Sequence, residues 1–381
     1  MNSYSRQLSR LKEEGNFRTI PEAGAADVTD FSTNDYLGLG ARMDLRDEFM
    51  ADSVRSSASL TSSASRLLAA DQMSYTRFEN YLRKLYGREA LLFNSGYHAN
   101  AGLIPALTSG ARTLIVADKL VHASIIDGIM LSKADFRRFR HNDTAHLRRI
   151  LDAEAGKYER VIIVAESIYS MDGDAAPLEE LADIRLSRDN TLLYIDEAHA
   201  LGVCGPRGLG LCAALPEEKR RGVDVMIGTL GKACASSGAF AIMPEELRHV
   251  AVNRARSFIF STALPPICCE WSMFMMQHIE SMDSEREHLQ SLARQLHKGL
   301  SLLTGNSLPT PSHIQPFIVG SASRAVELSQ RLLAHGVKVL PIRTPTVPPG
   351  TERLRISLSA ALTAADVQLL INSLKHELPN S

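Results

Sequence analysis

The stretch TLLYIDEAHALG (191–202) decides the reading of this chain: an apolar run that ends on an acid, with a histidine three residues further on. A short run that is apolar on both faces suits a buried strand of a parallel or mixed sheet. Four more runs share this character: ARTLIVA (111–117), RVIIVAES (160–167), DVMIGTL (224–230) and GAFAIMP (238–244). Between RVIIVAES and TLLYIDEA lies PLEELADIRLSRD (177–189), which reads as a helix, with Pro177 at its first turn and Leu178, Leu181 and Ile184 at helical spacing. Strands alternating with helices in this way predict an α/β architecture.

With 381 residues, 45% of them hydrophobic, the chain exceeds what one core usually fills, so a large and a smaller domain are expected. Beyond Pro265 and Pro266 the pattern to about residue 304 reads as one long helix bridging the two. After it, SRAVELSQRLLAHG reads as a helix ending at Gly336, VKVLPI and ERLRISLS as strands, and TAADVQLLINSLKHEL as a helix capped by Thr363 with Asp366 at the capping-box position. The expected division is an N-terminal segment (1–35) packing with the small domain, a large domain (36–275) and a small C-terminal α/β domain (276–381). SVRSSASLTSSAS (53–65) reads as a loop.

The balance of 42 basic and 43 acidic residues gives no global field for nucleic acid or an anionic membrane. Five cysteines, at 204, 212, 234, 268 and 269, contain no C-x-x-C pair and suggest neither a disulfide framework nor a structural zinc. No bound metal is expected. The opening MNSYSRQLSRLKEEG lacks an apolar signal core, and no run approaches a membrane span. These features predict a cytoplasmic protein with small-molecule partners.

Asp196 to His199 spell DEAH, a string that ends strands in nucleic-acid helicases. Phosphoryl transfer of that kind also needs G-x-x-x-x-G-K-[ST], and around Gly231-Lys232 the first glycine is replaced by Met226 and the hydroxyl residue by Ala233. A different chemistry uses the same residues together. Ligands of open α/β sheets sit at the carboxyl ends of strands. There a lysine can form a Schiff base with an aldehyde cofactor, while an acid keeps a pyridine nitrogen protonated. Lys232 and Asp196 have those identities. Taken alone, Lys232 reads as a surface lysine, His122 as a helix-start histidine, and Arg355, alternating with Leu354 and Ile356, as a residue on the solvent face of a half-buried strand.

Six segments in order change those readings: FSTNDYLGL (31–39), LLFNSGYHAN (91–100), DKLVHASIIDG (118–128), ESIYSMDGDAAPL (166–178), YIDEAHALGVCGPRGLG (194–210) and TLGKACASSGAF (229–240). Together they resemble the α-oxoamine synthase family of fold type I pyridoxal-phosphate enzymes, over nearly the whole chain. The resemblance implies a mostly parallel central sheet with helices on both faces and pyridoxal 5'-phosphate as cofactor. By it, Lys232 carries the cofactor, Asp196 pairs with the pyridinium nitrogen and His122 stacks on the ring. His199 and Ser170 bond the phenolic oxygen or its surroundings, and Thr229 with the Gly96-Tyr97 backbone holds the phosphate. Ser261 and Thr262 reach the phosphate of a neighbouring subunit, which implies a homodimer. Arg355, in IRTPTVPPGTERLRISL (342–358), binds the amino-acid carboxylate with Asn34 assisting. Thr346 and Arg18 lie near the acyl chain.

The family condenses an amino acid with an acyl thioester and releases carbon dioxide. The compact length and NFRTIPEAG (16–24) resemble members that join L-alanine to a pimeloyl thioester, of coenzyme A or acyl-carrier protein, in biotin biosynthesis. A glycine-using sister such as 2-amino-3-ketobutyrate ligase is the alternative within the chemistry, and a fold type I aminotransferase the alternative outside it. Ala70 stands where the family string has glycine, and Tyr75 where it has histidine.

Overall fold

The structure, a computed structural model, describes residues 2–20, 28–70, 72–305 and 311–378. It forms two compact units. The larger comprises Gly38–Tyr169 and Ala175–Asp283, and the smaller Met1–Leu37, Ser170–Asp174 and Ser284–Ser381. The boundaries thus fall after Leu37 and Asp283, not at the 35 and 275 expected from sequence, and the smaller unit also takes a five-residue piece from the middle of the chain.

The larger unit holds seven strands: β1 (Glu89–Phe93), β2 (Thr113–Asp118), β3 (Asp135–Phe139), β4 (Arg160–Glu166), β5 (Thr191–Asp196), β6 (Val225–Thr229) and β7 (Ala239–Met243). Their order is β1-β7-β6-β5-β4-β2-β3. β7 runs antiparallel to both of its neighbours, and every other pair is parallel. β1 through β6 therefore all end at one edge of the sheet.

Side chains alternate across a strand, and both sets are buried here. Ile115, Ile162 and Ile227 pack beneath helices α1 (Gly96–Thr108) and α2 (Ala123–Ser132) through Leu103, Ile104, Ile125 and Ile129. The alternate set, Val116, Ile163, Leu193 and Ile195, is equally inaccessible. That explains the two-faced apolar runs, each aliphatic side chain contributing about 1.5–3 kcal/mol on burial. Two strands of this sheet go beyond the five apolar runs. β1 offers only EALLF, and β3, DFRRF, is an edge strand whose Asp135, Arg137 and Arg138 are exposed, so it carries charges where central strands carry aliphatics.

The smaller unit contains β8 (Ile314–Ile318), β9 (Leu340–Ile342) and β10 (Arg353–Ser357) as an antiparallel sheet in the order β9-β10-β8. Thr29–Asp30 pairs in parallel with Val337–Lys338, so VKVLPI is two short strands in different sheets, not one. The helix Ala322–Ala334 ends before Gly336 at φ 75°, and Ala364–Glu377 starts from a capping box between Thr363 and Asp366.

The single long helix expected over 265–304 is two helices, Pro266–Ile279 and Asp283–Thr304. The first closes with Ser281 and Met282 N–H groups bonding back three residues, to His278 and Ile279, while Ser281 Oγ donates to the His278 carbonyl. Ser281 and Asp283 are the stop and start residues that the uninterrupted apolar pattern concealed.

Candidate active site

The shared edge of β1–β6 opens onto a cleft lined by Gly96, Tyr97, His122, Asp196, His199, Thr229 and Lys232, together with Asn100, Ser124, Glu166 and Ala198. Seven expected residues thus converge. Asp196 ends β5 and is 5% exposed. One of its oxygens accepts from Asn100 Nδ2 at 2.8 Å and the other from the Ala198 N–H at 2.9 Å. Asn100 also donates to Ser124 Oγ at 2.9 Å and accepts from the Tyr194 hydroxyl at 2.7 Å. A buried amide with all these bonds in place fixes the carboxylate's direction.

Lys232 follows β6 in a tight turn closed by the Ala235 N–H on its own carbonyl, with Ala235 at φ 44°. Its Nζ lies 2.7 Å from His199 Nε2. His122 precedes α2 and caps it, Nδ1 lying 3.2 Å from the Ser124 N–H and 2.8 Å from Ser124 Oγ. Its ring is exposed to the cleft, yet the desolvating walls lower its pKa, with Asp196 opposing.

Ser95 caps α1 by accepting from the His98 N–H at 3.2 Å. That leaves the N–H groups of Gly96 and Tyr97 in the first turn without helical acceptors, an anion-binding end. A Cβ on Gly96 would stand 3.7 Å from Thr229 Oγ1, so this hydroxyl adjoins the same helix end. The Tyr97 hydroxyl turns away to Asp127 at 2.6 Å.

Glu166 ends β4 at 2% exposure. Burial and then neighbouring Asp196 hold its pKa well above the usual carboxyl range, while the His122 N–H, which donates to it, opposes. The other acid of the DEAH string has no place in the cleft. Buried Glu197 accepts from Ser167 Oγ at 2.6 Å and from the N–H groups of Leu211 at 3.1 Å and Cys212 at 2.5 Å, bracing the loop after β5.

Within the smaller unit, Arg355 on β10 is 3% exposed, contrary to the solvent-face reading that alternation alone suggests. Its Nε donates to the Ser170 carbonyl at 2.5 Å, Nη1 to Asn34 Oδ1 at 3.1 Å and Ser357 Oγ at 2.6 Å, and Nη2 to the Tyr36 hydroxyl at 3.3 Å. All four acceptors are neutral, and among the described residues no carboxylate pairs with it. Burial pushes the Tyr36 phenol up to about 12 against the opposing Arg355 charge. Arg18 is exposed, and its charge, after burial, helps to lower the pKa of Arg343. Thr346 sits in an exposed turn, its N–H on the Arg343 carbonyl at 3.0 Å. Residues 21–24 of NFRTIPEAG lie outside the described residues.

Ser261 and Thr262 flank a short connection where Asn94 Nδ2 donates to Ser261 Oγ at 3.2 Å and to the Thr262 carbonyl at 2.5 Å. Tyr75 is fully buried, its hydroxyl on the Leu264 carbonyl at 2.6 Å and the Arg66 guanidinium 4.4 Å from its ring centre, while Ala70 is exposed. Asn100 and Glu166 escaped the sequence reading. Glu166 had a signal, since it ends RVIIVAE as Asp196 ends TLLYID.

The donors fit pyridoxal phosphate: an anion-binding helix end beside a hydroxyl, a fixed buried carboxylate, and a lysine amine within one cleft. The family model for class I and II aminotransferases matches residues 26–374. The 8-amino-7-oxononanoate synthase of Haemophilus ducreyi is 43% identical over 97% of this chain and 99% of its own length. The chain belongs to the α-oxoamine synthase branch of this family. Among solved α-oxoamine synthases, a lysine-to-alanine variant of serine palmitoyltransferase from S. paucimobilis, with a bound pyridoxal-phosphate–myriocin aldimine, superposes at a TM-score of 0.86 with 27% identity over 98% of this chain and 96% of that one. The 8-amino-7-oxononanoate synthase of Francisella tularensis does so at 0.75 with 27% identity over 93% and 99%. As in other α-oxoamine synthases of fold type I, the sheet is mostly parallel and the cofactor is pyridoxal phosphate.

Proposed function

We propose that this chain condenses L-alanine with a pimeloyl thioester, giving 8-amino-7-oxononanoate, free thiol and carbon dioxide in biotin biosynthesis. The observation that carries the chemistry is Arg355, a buried guanidinium whose described partners are all neutral. Such a site favours an anionic ligand, because a carboxylate supplies the charge that the fold withholds. The choice of substrates rests on the names of the full-length relatives.

Pyridoxal phosphate, when bound, offers an aldehyde for exchange between amines and a ring that takes up negative charge from the substrate's α-carbon. Lys232 Nζ would hold the cofactor through its aldehyde. The freed amine, beside His199, then takes the α-proton. Asp196, oriented by Asn100, would keep the ring nitrogen protonated, His122 would cover the ring face, and His199 and Ser170 would bond the phenolic oxygen or its surroundings. Thr229 and the N–H groups of Gly96 and Tyr97 hold the phosphate. Arg355, with Asn34, holds the amino-acid carboxylate until it leaves as carbon dioxide. The substrate's α-carbon would bond to the acyl carbon as the thioester C–S bond breaks, the thiolate taking a proton from solvent, and Lys232 would return the α-proton to the carbon that carbon dioxide has left. Arg18 and Thr346 serve the far, acidic end of the acyl chain.

We infer a homodimer in which Ser261 and Thr262 reach the partner's phosphate. Support comes from Leu60, Leu67, Leu68 and Phe260, large apolar side chains that are 51–78% exposed, on segments joined by the Ser65–Thr262 bridge. Among the described residues no helix is long and apolar enough to cross a membrane, and the five cysteines are free. Both agree with a cytoplasmic enzyme.

The test is thiol release from acetyl, succinyl, pimeloyl and palmitoyl thioesters with alanine, glycine or serine. Release with alanine and pimeloyl thioester is expected, and Lys232→Ala should lose both turnover and the cofactor's visible absorbance. Release confined to glycine would assign the sister reaction. Amino transfer to a keto acid without thiol release would assign an aminotransferase.

A further inference from the structure

Glu166 and Asp196 are register partners on adjacent parallel strands. Their side chains therefore leave the same face of the sheet, one strand spacing of about 4.8 Å apart. Both line the cleft and are almost wholly removed from solvent. Two carboxyl groups so placed do not both ionise, because each charge raises the cost of the other in a region of low polarity.

The surrounding donors decide which one keeps the proton. Each oxygen of Asp196 receives a donor, from Asn100 and from Ala198. Glu166 receives the His122 N–H, and its Oε1, buried, has no hydrogen-bond partner among the described residues. The other charged or titratable groups facing Glu166 are Lys232 from the turn after β6, His122 ahead of α2, Asp118 at the end of β2, and the buried phenol of Tyr169 after β4. Asp118 is itself engaged by His141 at 2.9 Å and by the Asn142 N–H at 2.8 Å. Lys232 is the cation that would favour an ionised Glu166, and Asp118 and Asp196 are the anions that oppose it.

We propose that Glu166 and Asp196 share one proton, that it resides on Glu166, and that Glu166 is thereby a positioning residue setting the charge of the cofactor site. The consequence is a single negative charge, on Asp196, directed at the ring nitrogen. A second anion would blur that direction and stabilise the ammonium form of Lys232, which cannot add to an aldehyde. The role in catalysis rests on the function proposed above, whereas the protonation state of Glu166 does not.

Glu166→Gln keeps the shape of a neutral acid, and Glu166→Ala removes it. With the pyridoxal-phosphate-loaded protein, the pH midpoint of the cofactor's visible band and the cofactor's dissociation constant are measured for each. The glutamine variant should keep the parental midpoint and bind within about threefold of the parent, while the alanine variant loses affinity. Were Glu166 ionised, replacing it by glutamine would remove a negative charge beside the lysine-bound cofactor. Its protonated form would then be less stable and the midpoint would fall by about 1 unit or more. That fall would overturn the proposal. Difference infrared spectra of parent against Glu166→Gln at pH 7.5, with and without cofactor, supply the second readout. A carboxylic-acid C=O band present only in the parent supports the neutral acid, and a carboxylate band in its place refutes it. A parent that binds no cofactor would defeat the functional reading while leaving the infrared result decisive for Glu166.

Discussion

Asn100 shows how much one neutral side chain can hold in place. It joins three elements: α1, which carries it, β5 through Asp196 and Tyr194, and α2 through Ser124. Asn100→Ala would leave a buried carboxylate oxygen and a buried phenol without a partner. We expect a loss of about 2–3 kcal/mol in urea unfolding and a cofactor dissociation constant raised about tenfold or more. An unfolding midpoint and an affinity both equal to the parent's would show that water or Ser124 replaces the amide. Glutamine should not rescue the variant, because the added methylene displaces the donor from a packed site. No pattern in LLFNSGYHAN marks Asn100 as different from a helix residue that merely faces solvent. Its importance comes from Asp196, 96 positions away.

At the scale of elements, α1 and α2 bring the first turn of α1, proposed to hold the phosphate, together with Asn100 and His122 to the same sheet edge. Their approach depends on Gly128 in α2, where an added Cβ would meet the Asn100 carbonyl oxygen at 2.6 Å and Ile104 Cδ1 at 3.2 Å. The oxygen belongs to the backbone and cannot rotate away, so Gly128→Ala must push the helices apart. The expected cost is about 1–3 kcal/mol, with weaker cofactor binding at unchanged spectral position, measured by thermal unfolding and absorbance titration. Unchanged affinity in a destabilised protein would mean that the helices yield away from the cleft. Two elements escape the sequence reading for different physical reasons. The edge strand DFRRF keeps charges on both sides because water, not a neighbour, meets its free edge, and the break at residues 280–282 uses ordinary helix formers around one serine and one aspartate.

For the whole molecule, the exposed Leu60, Leu67, Leu68 and Phe260 form the surface for which a second copy is proposed. Sedimentation at micromolar concentration should give twice the 41.8 kDa chain mass. Leu68→Lys combined with Phe260→Lys should halve that mass and weaken cofactor binding, since Ser261 and Thr262 would lose the partner's phosphate. A parent that sediments as a monomer and still turns over would remove the dimer and the assignment of these two residues. From the sequence alone come five buried strands, because an apolar run is a local property, and, through the resemblance of six segments to a known family, the cofactor chemistry with its candidate lysine and aspartate. Only the tertiary structure decided that Arg355 is buried with neutral partners, that Asn100 aims Asp196, and that Glu166 stands beside Asp196. Each of these depends on which elements become neighbours, and burial and electrostatic coupling arise only when distant segments exclude water together.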